Sequence, residues 1–190
     1  ADGKTMRLLL AKNPTGFNEV LRTVYSEDVP RYVLLVLNDN IADGQDISWI
    51  WDVDFERVLG RTKVLVVAGT RALDLAIRLR YAGINEKDMT VVPPAPLRTQ
   101  KTRTSTHMRL RSKNRQQINE KDTQDTQMIH ISETSVPRIY GLKHALDSAL
   151  TQTPAGETLF VVPTYTGLLE IHRELEQRGL TPHYWEGRDA

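Results

Sequence analysis

Short apolar runs alternate with segments of helical period along most of this chain, the pattern of a parallel sheet whose strands are joined by covering helices. The first run is Met6 to Ala11. Behind it Asn13 is placed to cap a helix with Pro14 at the first position. Phe17, Val20, Leu21 and Val24 then recur at i, i+3, i+4 and i+7, which predicts one apolar helical face. The second run, Tyr32 to Leu37, is unbroken and predicts a buried strand. Val53 to Leu59 can form a short helix before a third strand, Lys63 to Ala68. Gly69 and Thr70 then open a helix over about 71–82, with Leu73, Ala76, Ile77 and Arg80 on one side and Gly83 as a left-handed cap. A fourth strand, Met89 to Val92, runs into Pro93, Pro94 and Pro96.

Residues 97–134 change character, becoming polar and rich in Thr, Gln, Arg and Lys, so they read as an insertion into the domain and not as core. Ser105 to Leu110 and Gln127 to Ser132 are β-prone enough to pair as a hairpin within it. Periodicity resumes at Ser135, with Ile139, Leu142, Leu146 and Ala149 on one helix. A strand follows over Thr158 to Val162, then a last helix from about Thr166 to Arg178 closed by Gly179 and a loosely held tail after Leu180. The expected organisation is one domain over 1–190 with a flexible or hairpin insertion at 97–134.

Composition narrows the function classes. Twenty-five basic against 24 acidic residues leave a formal charge of +1, which gives no global drive toward nucleic acid or an anionic membrane. The insertion holds a basic stretch from Arg98 to Arg115. Glu120, Asp122, Asp125 and Glu133 follow it and no aromatic interleaves it for base stacking, so no nucleic-acid partner is expected. The absence of cysteine removes disulfides, thiolate nucleophiles and cysteine metal sites, and suits a reducing interior. No apolar run approaches the roughly 20 residues that cross a bilayer, and Ala1 to Arg7 lacks a signal-peptide core, so a soluble, cytoplasmic chain is expected.

Four strand-to-helix turns carry the candidate chemistry, and a doubly wound sheet gathers such turns into one crevice. Lys12-Asn13-Pro14-Thr15-Gly16 is either an anion cradle of backbone amides and a lysine or a plain capped turn. Gly69-Thr70-Arg71 either offers Arg71 to an anion or is an N-cap by Thr70, and Pro163-Thr164-Tyr165-Thr166 has the same two readings. The fourth turn is the most informative. Residues 38–56 place five aspartates and two of the three tryptophans directly behind the Tyr32–Leu37 strand, where an α/β protein builds its site. Aspartate-rich turns with Gly44 at a positive φ are common in loops. Trp49 and Trp51 beside Asp46 and Asp52, however, set large apolar faces against carboxylates, either to pack the loop rigidly or to present a partner-binding surface. One tryptophan is expected in the core and one at an interface. Two or three of the carboxylates could also hold magnesium.

Other routes close. Asp2-Gly3-Lys4-Thr5 lacks the leading glycine and strand of a phosphate-binding loop, and no Gly-x-Ser-x-Gly elbow is present. The five histidines show no metal-ligand spacing, and His172 flanks the apolar stripe of the last helix as a core-edge residue.

Leu9 to Gly16, Leu37 to Asp52 and Gly69 to Ala72 together resemble the C-terminal domain of the MurT family, over the whole chain apart from the insertion and the tail. The resemblance implies an α/β, Rossmann-like, mostly parallel sheet with helices on both faces, of the Mur ligase C-terminal type. It also implies a role in the bacterial cytoplasm, at the inner face of the membrane. There a Mur-ligase-like subunit and a GatD-like glutaminase amidate the α-carboxylate of D-glutamate in lipid II, with ammonia from glutamine and an acyl phosphate made from ATP with Mg2+. The family's glutaminase brings a cysteine and a histidine, and an aspartate of this domain completes the triad. By motif position that residue is Asp46. Asp43, Trp49, Trp51 and Asp52 are then the partner-binding residues, while Lys12, Asn13 and Arg71 form one wall of the nucleotide site, with Lys12 standing where Mur ligases have histidine.

The chain lacks the Gly-Thr-Asn-Gly-Lys-Thr loop of the family's central domain and its cysteine zinc ribbon. It is therefore expected to be an excised or separately encoded domain that works beside an upstream Mur ligase central domain and binds no ATP or metal alone. The competing reading is a non-catalytic module that grips a protein partner through the Trp-Asp loop.

Overall fold

The computed structural model describes residues 3–94 and 141–180. Five strands, β1 (Thr5–Leu8), β2 (Arg31–Val36), β3 (Thr62–Ala68), β4 (Thr90–Val92) and β5 (Thr158–Pro163), pair in the order β1-β5-β2-β3-β4, every neighbour parallel. The strand after the insertion thus returns to lie between the first two. β2 is central, and Tyr32 through Val36 are all buried, which is why its sequence shows no alternation.

Helices cover both faces. On one, α1 (Pro14–Val24) and α2 (Ala72–Tyr81) bury Phe17, Leu21, Val24, Leu75 and Leu79 against Val33, Leu35, Val67 and Val162. On the other, α3 (Gly141–Gln152) and α4 (Tyr165–Gln177) bury Leu146, Ala149, Ile171 and Leu175 against Leu34, Val36, Val66 and Val161. The arrangement is the α/β type that the sequence predicts.

Several local expectations shift. β1 ends at Leu8, yet the amides of Leu9 and Ala11 continue its pairing by donating to the Val161 and Pro163 carbonyls, so the whole Met6 to Ala11 run is engaged. The row Leu73, Ala76, Ile77 and Arg80 is not the core face of α2: Leu73 and Ile77 are exposed, and Ala72, Leu75, Ala76 and Leu79 face the sheet together with buried Arg78. The proposed helix over Val53 to Leu59 is a single 3₁₀ turn, Phe55–Val58, preceded by another at Ser48–Asp52. The insertion hairpin, the start of the helix at Ser135 and the tail lie outside the described residues.

Those two 3₁₀ turns occupy the place of a crossover helix between β2 and β3. Parallel neighbours need a connection that covers one face of the sheet. Here Ile50, Val53, Phe55 and Val58 supply the cover from a segment with no helical period. Arg78 holds it to α2. Its guanidinium donates to the carbonyls of Ile50 (3.3 Å) and Val53 (2.7 Å), pairs with Glu56 (3.0 Å), and lies 5.7 and 5.5 Å from the ring centres of Trp51 and Phe55. Gly69, between β3 and α2, is equally constrained: its φ is +105°, and a Cβ would lie 2.2 Å from the Leu37 carbonyl oxygen.

Arg78→Met keeps the stem but abandons two carbonyls, so chemical denaturation should register a loss of about 2 kcal/mol or more. Glu56→Gln should cost less than about 1 kcal/mol, since its carboxylate is mostly solvated. Gly69→Ala is expected to cost roughly 3 kcal/mol or prevent folding. Gly60→Ala, at φ +68° with open space around it, should cost only about 1 kcal/mol, and thermal melts of the pair separate clash from conformational strain.

Candidate functional site

All strands are parallel, so their carboxyl ends share one edge, and three of the turns there are cross-linked through Asn38. Asn38 ends the β2 run and is buried. Its backbone N–H donates to Thr164 Oγ1 (3.0 Å), its amide oxygen accepts from the Thr70 N–H (2.9 Å), and its Nδ2 donates to Thr166 Oγ1 (2.9 Å). The ends of β2, β3 and β5 therefore meet on one side chain. Gly167 allows the approach on the α4 side, where a Cβ would lie 2.9 Å from Val36 Cγ1.

Thr164 is the N-cap of α4 but makes no capping bond with its side chain, because its hydroxyl serves Asn38. Asp43, from the acidic loop, supplies the cap. Its Oδ1 accepts from the Thr166 N–H (2.8 Å), and its Oδ2 accepts from the Thr166 hydroxyl. The same hydroxyl oxygen accepts from Asn38 Nδ2 and from Asn40 Nδ2 (2.8 Å), so its one donor and both acceptor positions are filled. A carboxylate at a helix N-terminus also gains from the helix dipole. Asp43, expected at a partner surface, is thus 8% exposed and turned inward, tying the loop to α4.

Asp46 stands out from this anchored stem. It is exposed, and its Oδ1 accepts from the Ser48 N–H at 2.8 Å, the hydrogen bond that chiefly holds its carboxyl below the usual range. The Ser48 side chain adds to the same effect, and the carboxylate otherwise stands open to solvent. The 3₁₀ turn that follows separates the tryptophans. Trp49 packs on Phe17, ring centres 5.6 Å apart, while Trp51 is 52% exposed with its ring 5.3 Å from that of Tyr81. Asp52 is exposed, its carbonyl taking the Asn18 amide at 3.4 Å.

The remaining candidates divide. Lys12 is exposed and has no hydrogen bond or ion pair with a described residue. Asn13 caps α1 by accepting from the Gly16 N–H at 2.7 Å. Arg71 is already paired, 3.1 Å from Asp74 and 3.6 Å from Asp39. Thr70 is not the cap of α2, a position held by Arg71; its hydroxyl donates to Asp39 at 2.8 Å. His172 is partly exposed, with Nδ1 3.2 Å from Glu176, rather than packed into the core edge. Among the described residues no group of three or more His, Cys, Asp or Glu could hold a metal ion, and no helix is long and apolar enough to cross a membrane.

Asn38, Thr166 and Arg78 are the organising residues that sequence reasoning did not single out. The only available signal for Thr166 was its place in a strand-to-helix turn, and Arg78 looked like one more polar position on an amphipathic helix.

Residues 10–135, more than half of the chain, match the family model described as MurT ligase C-terminal. The chain is similar to the MurT subunit of the glutamine-hydrolysing lipid II isoglutaminyl synthase of Staphylococcus aureus strain COL, with 40% identity over 82 residues, 43% of this chain and 19% of that protein. It is likewise similar to the subunit of the same name from Streptococcus pneumoniae, with 36% identity over 88 residues, 46% of this chain and 20% of that protein. The matched stretch spans only about a fifth of the length of these relatives. An all-parallel five-stranded α/β sheet, with the acidic loop at its carboxyl edge and the family match running through both, places this chain in the MurT ligase C-terminal family.

Proposed function

We propose that this chain is the C-terminal domain of the ligase subunit of a glutamine-dependent amidotransferase that amidates D-glutamate of lipid II, and that it supplies Asp46 to the triad of a GatD-like glutaminase. The observation that carries the reading is the state of Asp46. It is exposed, oriented by the Ser48 backbone and side chain, held anionic, and open on its solvent side to an incoming donor. A carboxylate so placed accepts the N–H of a partner imidazole, fixes its tautomer, and stabilises the imidazolium formed as that ring takes the thiol proton of the nucleophilic cysteine. Trp51 then docks against the glutaminase, with Asp52 beside it on the same surface.

The turns nearer β1 and β3 form one wall of a nucleotide site shared with an upstream Mur ligase central domain. Such a site would hold ATP with Mg2+, and the chemistry it would supply is transfer of the terminal phosphoryl group to the substrate carboxylate with release of ADP, giving an acyl phosphate that ammonia displaces as phosphate. Of Lys12, Asn13 and Arg71, Lys12 alone brings a charge with no partner among the described residues, so it is the one offered to a phosphate. Asn13 orients the amides of the α1 start, and Arg71 contributes through the turn it braces with Asp39 and Asp74. A second reading, a non-catalytic protein-binding module, draws on the exposure of Trp51 alone.

In the reconstituted complex Asp46→Asn should lower glutamine hydrolysis by roughly 10³-fold or more, while amidation supported by added ammonium persists. Hydrolysis near wild type would favour the binding module. Trp51→Ala is expected to weaken the glutaminase complex by about 2 kcal/mol in calorimetry with a smaller fall in melting temperature than Trp49→Ala, which loses its packing on Phe17, because Trp51 gives up only its cover of Arg78 and Tyr81.

A further inference from the structure

The geometry points to Thr166 as a positioning residue that, through Asp43, sets where Asp46 stands for the partner imidazole. The inference rests on the triad reading of Asp46 and adds to it a residue distant in sequence, on another helix.

Ile41, Ala42, Gly44, Gln45 and Asp46 are all exposed, so side-chain packing against the core does little to fix this stretch. Its position is set by what pins its two ends. Downstream the pin begins at Ile47 and Trp49, both packed against the core, and continues in the 3₁₀ turn, with Ile50 buried and the carbonyls of Ile50 and Val53 held by Arg78. Upstream it is Asp43, whose carboxylate has Thr166 as its one hydrogen-bond partner among the described residues. The backbone amide of Thr166 belongs to α4 and survives any substitution short of proline. The hydroxyl is different. It alone joins Asp43, Asn38 and Asn40 at one oxygen, and without it the two asparagine amides lose an acceptor and Asp43 loses its second bond.

Loss of that hydroxyl leaves Asp43 held by the Thr166 amide alone, which loosens the upstream end of the span Asp43–Ile47 that carries Asp46. Asp46 then samples positions off the line to the imidazole, and misplacement on the order of 1 Å is enough to cost about 10²-fold in a step that depends on alignment. Glu170, on the same helix, adds to the need for the latch. Its carboxyl is pushed up by burial and by the Asp43 charge, so Asp43 has a like-charged neighbour and its stabilising contacts come from Thr166.

The test uses the full-length ligase subunit in complex with its glutaminase, with Thr166→Val, Thr166→Ser, Asp46→Asn and the double variant Asp46→Asn with Thr166→Val. Thr166→Val should lower kcat for glutamine hydrolysis by about tenfold or more, leave ammonium-supported amidation within about twofold, and be restored by Thr166→Ser. On the Asp46→Asn background it should bring no further loss, because both changes remove the same contribution. Equal loss of both activities, an undiminished further loss in the double variant, or wild-type hydrolysis in Thr166→Val would each overturn the inference while Asp46→Asn remains inactive. Full hydrolysis by Asp46→Asn alone would instead remove the triad reading, and the inference with it.

Discussion

The carboxyl edge of the sheet depends on one desolvated amide. Asn38 is buried at the end of the central strand, where any unmade hydrogen bond would cost about 1–3 kcal/mol, and it meets that demand with groups from β3's end and from α4. The demand propagates outward. Gly69 and Gly167 flank the amide, and a Cβ on either would lie 2.8 Å from its oxygen or 3.6 Å from its nitrogen. Thr164 is drawn away from capping α4, which leaves the helix start for Asp43 to complete from a loop in another part of the chain.

The second organising feature is the absence of a helix between β2 and β3. A crossover of 3₁₀ turns lets the segment bury four side chains and still turn Trp51 and Asp46 outward, which a regular helix with one apolar face does less readily. The compensation is a buried cation. Arg78 is covered by Trp51 and Phe55 and bound to two carbonyls, so the charged group serves the backbone of the loop more than its surface partner Glu56.

Much of the fold was legible because its signals are local. Asn13 with Pro14 announces α1, the unbroken run at Tyr32 announces the central strand, and Gly83 and Gly179 end their helices at positive φ as expected. The inner face of α2 was not legible because apolar residues stand on both sides of the helix and each side carries an arginine: Leu73 and Ile77 are exposed with Arg80, while Leu75 and Leu79 lie inside beside Arg78, whose stem and guanidinium are buried. The acidic loop was recognised as the place to look, and Asp46 stands exposed there. The inward turn of Asp43, the service of Thr70 to Asp39 and the role of Thr166 were not legible. Each depends on a partner far along the chain, and spacing within a motif carries no information about such pairs.

The 3₁₀ crossover also has a consequence for motion. Its turns lack the repeating ladder of an α-helix, and their attachment to the domain rests on four buried side chains, the Arg78 guanidinium and the Asn18 amide. Such a segment is expected to open at lower free energy than the strands beside it, with its amides exchanging before those of β2 and β3. The segment that carries Trp51 is therefore expected to exchange ahead of the sheet on which it packs, and a partner seated on Trp51 to slow that exchange.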